Sequence, residues 1–389
     1  MTSTNHASNG GATHSSTGQT SSPAKPHLSL YRKYRPHTFA DVVGQSHIVD
    51  VLKQSVEKGT VGHAYLFCGS RGTGKTSIAR IFARALGTTI NDLYEIDAAS
   101  NTSVDDIREL SEAVHTVPLE SKYKVYILDE VHMLSKAAFN AFLKTLEEPP
   151  KHVIFILATT ETEKLPDTIV SRCEVYNFKK PTAEMLKSHV LDIAQKEGAE
   201  IETSAAELVA LLGDGSFRDT LSTLQKVLSY TGTDSNATHG STDGASGTKK
   251  SATITLEQVE QITGAPKAVV VSDFVKGLVL KDASLALTAL GTAGRENLDM
   301  KVFAKLAMTR LRYMLMRTIA EKEASVLASD LSAGDVVMFN DLAKQVTGQQ
   351  IAGVLKRMLE VYHSIGKTYV QSLPLELVVG EVVGSAVGK

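Results

Sequence analysis

The strongest chemical signal in the chain is the run GSRGTGKT at positions 69–76. It fits G-x-x-x-x-G-K-[ST], directly after the apolar AYLFC and at the head of the helix-like KTSIARIFARAL. Glycines at this spacing let backbone amides curl around phosphates, and the start of a helix adds the positive end of its dipole. Lys75 is then expected to reach the outer phosphates of ATP, and Thr76 to ligate Mg2+. KVYILDE supplies the complementary acids: an apolar strand ending in Asp129 and Glu130 carries both carboxylates to the mouth of an open sheet. Asp129 is expected to hold magnesium through water, and Glu130 to polarise the attacking water. In ILATT, Thr160 or Thr159 could hydrogen-bond the γ-phosphate or its water. In GSFRDTL, Arg218 stands near a helix start from which it could reach over bound nucleotide.

Other reactive side chains point to less. IVSRCEV holds Cys173 beside Arg172, but no base, partner cysteine or metal-ligand spacing surrounds the thiol, so a small buried residue is expected. His132 in DEVH reads as packed or hydrogen-bonded, since no second metal ligand lies at useful spacing. Ser103 and Ser135 precede helix-like runs; they cap them or help present backbone amides to a nucleic-acid backbone, with Lys136 nearby.

Positioning these residues takes an α/β domain. AYLFCG, LYEID, KVYILDE and HVIFILATT are near-continuous apolar runs, as in parallel strands covered on both faces. KTSIARIFARAL, VDDIRELSEAV and SKAAFNAFLKTLEE, between them, carry amphipathic helical spacing. After FKKP the strand pattern stops and helical runs begin. The expected division is a disordered tail at 1–27, a nucleotide-binding parallel-sheet domain at 28–180, a small helical domain at 181–264 and a further helical unit at 265–389. Within the small domain, residues 231–252 are Gly, Ser, Thr and Asp rich and read as a flexible insertion.

Of the 389 residues, 42% are hydrophobic and 22% charged, and the net charge is −2, so no whole-molecule basic field draws nucleic acid. Contact with it would need a local patch or an assembly. No secretory signal opens the chain and no stretch of about 18 apolar residues occurs, so the cytoplasm is expected and no membrane partner. Two cysteines, Cys68 and Cys173, exclude a disulfide framework and a four-cysteine zinc site within one chain.

YRKYRPHTFADVVGQ, HAYLFCGSRGTGKTSIARIFARAL, EIDAASN, VYILDEVHMLSKAAFNAFLKTLEEPP, FILATTETEKLP, SRC and GSFRDTLS together resemble the gamma/tau family of bacterial DNA polymerase III clamp-loader subunits. The likeness covers about residues 30–264, and more weakly the C-terminal unit through SLPLELVVGEVV. It implies a P-loop AAA+ domain with helices on both faces of a parallel sheet, a helical lid and a C-terminal helical collar that oligomerises. It also implies a DNA-dependent ATPase of the polymerase holoenzyme that opens a sliding clamp and loads it on primed template DNA beside delta, delta-prime and further gamma/tau copies. By motif, Tyr31, Arg35, Pro36, Val42 and Val43 would line the adenine pocket. Gly69, Ser70, Arg71, Gly72, Thr73, Gly74, Lys75, Thr76 and Ser77 would hold phosphates, with Thr76 and Asp129 on magnesium. Glu130 would act on water, Thr160 and Arg218 would be the two sensors, and Arg172 an arginine finger serving the neighbouring subunit's ATP.

Two departures from the family stand out. Only GTTINDL separates the P-loop helix from EIDAASN, where the family usually inserts a four-cysteine zinc module, so no zinc is expected. The chain ends at Lys389, without the long tail of tau-type forms, as a short gamma-like product, a short homologue or a trimmed chain would. A branch-migration motor shares some of these motifs, and a delta-prime-like scaffold keeps SRC with a degraded nucleotide site. The full set of motifs and the intact GKT and DE favour the loader ATPase.

Overall fold

The computed structural model describes residues 28–100, 103–234, 253–328, 331 and 333–384; the tail at 1–27 lies outside them. Five strands form one parallel sheet in the order β2-β3-β4-β1-β5: β1 (Ala64–Cys68), β2 (Leu93–Asp97), β3 (Lys124–Asp129), β4 (Val153–Thr159) and β5 (Glu174–Asn177). Register sets Leu66 opposite both Leu157 and Val175, and Ile127 opposite Ile156. The central strands are buried almost end to end, which is why they read as unbroken apolar runs. The outer two are not: β2 and β5 are half-exposed edges, and Glu95 of β2 pairs with Arg80 across the rim.

Among the described residues, five helices flank this sheet, α2 (Ser46–Lys58), α3 (Lys75–Ala85), α4 (Val104–Ala113), α5 (Lys136–Glu147) and α6 (Asp167–Val170), and α1 (Leu30–Lys33) precedes them in the chain. Because side chains alternate along a strand, each face of the sheet builds its own core. Tyr65, Phe67, Ile127 and Ile156 meet Ile48, Leu52, Ile78 and Phe82 of α2 and α3 on one side. Leu66, Leu128 and Phe155 meet Ile107, Phe139 and Phe142 of α4 and α5 on the other. Ser103 and Ser135 accept the amides of Asp106 and Ala138, so both hydroxyls cap helices.

The lid comprises α7 (Ala183–Lys196), α8 (Thr203–Leu212), α9 (Phe217–Asp234) and α10 (Leu256–Thr263) around a core of Val190, Leu208, Leu224 and Val259. Leu30 of α1 is buried in that same core, and its backbone N–H donates to Gln225 Oε1 at 2.9 Å. The expected insertion begins later than its composition suggests: α9 runs on through Asp234, because extending a formed helix adds a hydrogen bond per residue without the nucleation penalty. The remainder, 235–252, lies outside the described residues.

Among the described residues, seven helices make the collar: α11 (Ala268–Leu280), α12 (Ala283–Arg295), α13 (Met300–Ile319), α14 (Glu321–Ala328), α15 (Ala333–Ala343), α16 (Gly348–Tyr362) and α17 (Leu373–Gly384). The Met and Leu stripe of α13 is core, with Phe303, Leu311 and Met314 buried. A buried ion pair crosses it. Arg310 donates to Asp335 at 3.1 Å and to Ser272 at 3.1 Å, while Ser272 donates to Asp335 at 2.7 Å, so each charge keeps hydrogen-bonded partners away from water. The lid and collar also meet in a salt bridge, Lys305 to Asp214 at 2.6 Å.

Candidate functional site

The site forms where the carboxyl ends of β1, β3 and β4 open toward the lid, the crevice at which open α/β sheets bind ligands. Residues 69–74 leave β1 in a loop whose glycines adopt backbone angles closed to other residues. Gly69 has φ 152°, and an added Cβ would come within 2.8 Å of Phe178; Gly72 has φ 74°, and its Cβ would meet Ser216 Oγ at 1.9 Å. The loop ends at Gly74, the N-cap of α3.

Lys75 opens α3 with its side chain buried, and its ammonium donates to the carbonyls of Gly69 at 2.7 Å and Ser70 at 3.1 Å. Burial pulls its pKa below the usual lysine value, while the carboxylates of Glu130 and Asp129 push it back up. Thr76 donates to Asp129 Oδ2 at 2.7 Å. A hydroxyl and a carboxylate in contact at a helix start are hard oxygen donors of the type Mg2+ prefers, so the residues fit that ion. Glu130 follows in left-handed conformation, φ 51°, and Thr160 donates to its Oε2 at 3.2 Å. Thr159 is differently engaged, with its hydroxyl 3.1 Å from His132 Nδ1.

The lid closes the other side. Phe217 N–H donates to Gly72 O at 3.1 Å, seating the start of α9 on the phosphate loop, and the Arg218 guanidinium stands 5.0 Å from the Tyr31 ring centre. One cavity gathers most of the anticipated residues: Tyr31, Arg35, Pro36, Val42, Val43, Arg71, Gly72, Thr73, Gly74, Lys75, Thr76, Ser77, Asp129, Glu130 and Arg218. Gly69 and Ser70 do not line it; their carbonyls hold Lys75 instead. Tyr34, Asp41, Ile78, His189, Phe217 and Leu221 complete the wall. All but His189 lie within the runs YRKYRPHTFADVVGQ, KTSIARIFARAL and GSFRDTL, beside the residues given a role. His189 lies inside α7, outside these runs; its ring packs edge-on against Phe217 at 5.3 Å, and burial lowers its pKa.

Arg172 lies apart from this cavity. It follows α6 on the surface, bound to the Glu147 carboxylate and, at 2.7 Å, to Thr168 O. Cys173 is half-buried, and burial raises its thiol to about 12, which leaves it inert as a nucleophile at neutral pH. Among the described residues, no group of three or more His, Cys, Asp or Glu side chains is placed to hold a metal ion.

A P-loop at the carboxyl end of an interior strand of a parallel sheet, capped by a helical lid and followed by a helical collar, makes this a P-loop α/β protein. Its kin by sequence are the tau and gamma subunits of bacterial DNA polymerase III. The chain is 37% identical to the Bacillus subtilis tau subunit over 83% of its own length and 57% of that protein's. It is 47% identical to the Escherichia coli tau subunit over 50% of its own length and 33% of that protein's. To the Mycobacterium tuberculosis gamma/tau subunit it is 37% identical over 74% and 51%. This chain thus spans less than two thirds of the length of each of these relatives. A family model described as DNA polymerase III, delta subunit, matches residues 44–93 and 88–182. Among solved structures, the Thermotoga maritima RuvB Holliday junction branch migration motor superposes with a TM-score of 0.48 at 21% identity, over 63% of this chain and 78% of that one, a likeness too slight to argue from.

Proposed function

We propose that this chain is an ATP-hydrolysing subunit of a bacterial clamp loader, a DNA-dependent ATPase that opens a sliding clamp and sets it on primed template DNA during replication. The observation that carries the reading is that Lys75, the Thr76–Asp129 pair, Glu130 and Arg218 line one cavity, with Thr160 behind Glu130 and donating to it. Lys75 would exchange its carbonyl partners for phosphate oxygens, and Thr76 and Asp129 would hold Mg2+, which neutralises charge on the phosphates. Glu130 would orient and deprotonate the attacking water, Thr160 would report the γ-phosphate, and Arg218 would tie the lid angle to the phosphate state. The apolar wall of Tyr31, Pro36, Val42 and Val43, with Arg35, would receive the base. Partners would be delta, delta-prime and further gamma/tau copies, the clamp and primed DNA, in the cytoplasm, with the collar as the oligomerisation unit.

The delta-subunit description of the matching family model favours a second reading, a scaffold that binds nucleotide without splitting it. ATP turnover by the reconstituted complex, measured with and without clamp and primed DNA, decides between them. The loader reading expects both additions to stimulate turnover; indifference to them sinks it, and bound ATP without turnover leaves the scaffold. Glu130→Gln should bind ATP and clamp but lower hydrolysis by about 10² to 10⁴ and stall before clamp release. Clamp release at the normal rate would contradict the role of Glu130.

A further inference from the structure

His132, just past Glu130, has a connected set of contacts that the roles above leave unused. Its side chain is 6% exposed. Nδ1 lies 3.1 Å from Thr159 Oγ1 and 3.5 Å from Glu130 Oε2, and Nε2 lies 3.2 Å from Glu161 Oε1. Glu161 is itself anchored: Lys164 donates to its Oε2 at 2.8 Å, holding the carboxyl below its usual range, and the Glu161 N–H donates to Thr159 Oγ1 at 3.0 Å. Contacts at both nitrogens therefore fix the imidazole, and one of those nitrogens faces the carboxylate of Glu130.

Glu130 needs such a restraint. Its left-handed backbone costs a non-glycine residue about 1–2 kcal/mol, so the site holds it against a local preference. The last torsion of a glutamate side chain is a broad, roughly two-fold well, so the carboxylate plane is not set by the rotamer. One hydroxyl at 3.2 Å contributes about 1 kcal/mol net, too little to hold that torsion alone. The His132 and Thr160 contacts both fall on Oε2, which leaves Oε1 for the water.

We propose that His132 is the positioning residue of the hydrolytic site: braced by Thr159 and Glu161, it fixes the plane of the Glu130 carboxylate. This rests on the reading of Glu130 as the group that activates water. The test is steady-state ATP turnover and ATP binding by the reconstituted loader with clamp and primed DNA. His132→Phe keeps the ring and removes both nitrogens; kcat should fall about tenfold or more while the Kd for ATP stays within about twofold. His132→Asn, whose amide can stand near the Nδ1 position, should recover kcat to within about threefold of the unaltered loader. Glu161→Gln, which weakens the brace and leaves the ring in place, should lower kcat about threefold.

Unaltered kcat in His132→Phe overturns the proposal. So do equal losses in His132→Phe and His132→Asn that track a common fall in Tm, since that pattern is packing alone. Should His132→Phe fail to fold, Glu161→Gln decides, and an unchanged kcat there overturns the proposal. Unaltered and Glu130→Gln loaders run alongside separate the two readings. A loader that does not hydrolyse ATP, or that Glu130→Gln leaves active, removes both; one that Glu130→Gln silences while His132→Phe does not slow it removes this inference alone.

Discussion

Lys75 shows how burial and charge are balanced at the scale of one residue. Its ammonium rests on two carbonyls of its own loop, and while burial draws its pKa down, the nearby carboxylates of Glu130 and Asp129 oppose that shift. His189 is the contrasting case, half-buried beside Phe217 in the same cavity with a pKa lowered by burial. The unfolded chain therefore takes up its proton at a higher pH than the folded one does. Above the unfolded value, about 6.5, both states are neutral and stability is unaffected. Below it the unfolded state binds more protons, so stability falls with pH until the folded value is passed. Thermal melts between about pH 7.5 and pH 5.5 should show a smaller loss of Tm for His189→Gln than for the unaltered chain. Equal slopes would mean that His189 titrates alike in both states.

At the scale of elements, the turn from α8 to α9 joins parts that are distant in the chain. Asp214 takes Lys305 of the collar at 2.6 Å and Lys180 at 3.5 Å, and just beyond it Ser216 and Phe217 lie on Gly72 of the phosphate loop. These ion pairs are largely exposed and worth about 0.2–1 kcal/mol each, so the tight fit of Ser216 on Gly72 sets the lid. A methyl at Gly72 would overlap Ser216 Oγ in a backbone region unfavourable to alanine. Gly72→Ala should thus weaken ATP binding by at least about tenfold, read by titration calorimetry, with the sheet's secondary structure unchanged by circular dichroism. Unchanged affinity would show that the loop and lid tolerate separation. The placement of the glycine loop and of the acids at the end of β3 was legible in the sequence because it rests on local spacing: glycines before a lysine, carboxylates ending an apolar strand. The destination of Leu30 was not. Four residues of helix carry no period, and the choice of the lid core over the sheet rests on Gln225, 195 positions away. His132 and His189 were legible only as side chains, since their partners come from β4, the loop after it and α9.

At the scale of the whole molecule, one anticipated group stands outside the chain's own cavity. Lys75, Thr76, Asp129, Glu130 and Arg218 are gathered there, but Arg172 is bound to Glu147 and Thr168 on the surface beyond α6. A surface ion pair of this type contributes at most about 1 kcal/mol, so Glu147 can release the guanidinium to a stronger anion. A phosphate group of ATP on an adjoining subunit is such an anion, and bidentate arginine–phosphate contact is charge-assisted. If Arg172 serves that site, Arg172→Ala leaves ATP affinity within about twofold and lowers turnover of the assembled loader by about 10³ or more, because the finger acts on charge that develops in phosphoryl transfer. Mixed assemblies sharpen the test. Subunits carrying Lys75→Ala but an intact Arg172, placed beside Arg172→Ala subunits with intact phosphate loops, should regain turnover at the interfaces that pair a good finger with a good loop. Wild-type turnover by the pure Arg172→Ala loader, or no recovery in the mixture, would return Arg172 to the role of a surface residue bound to Glu147.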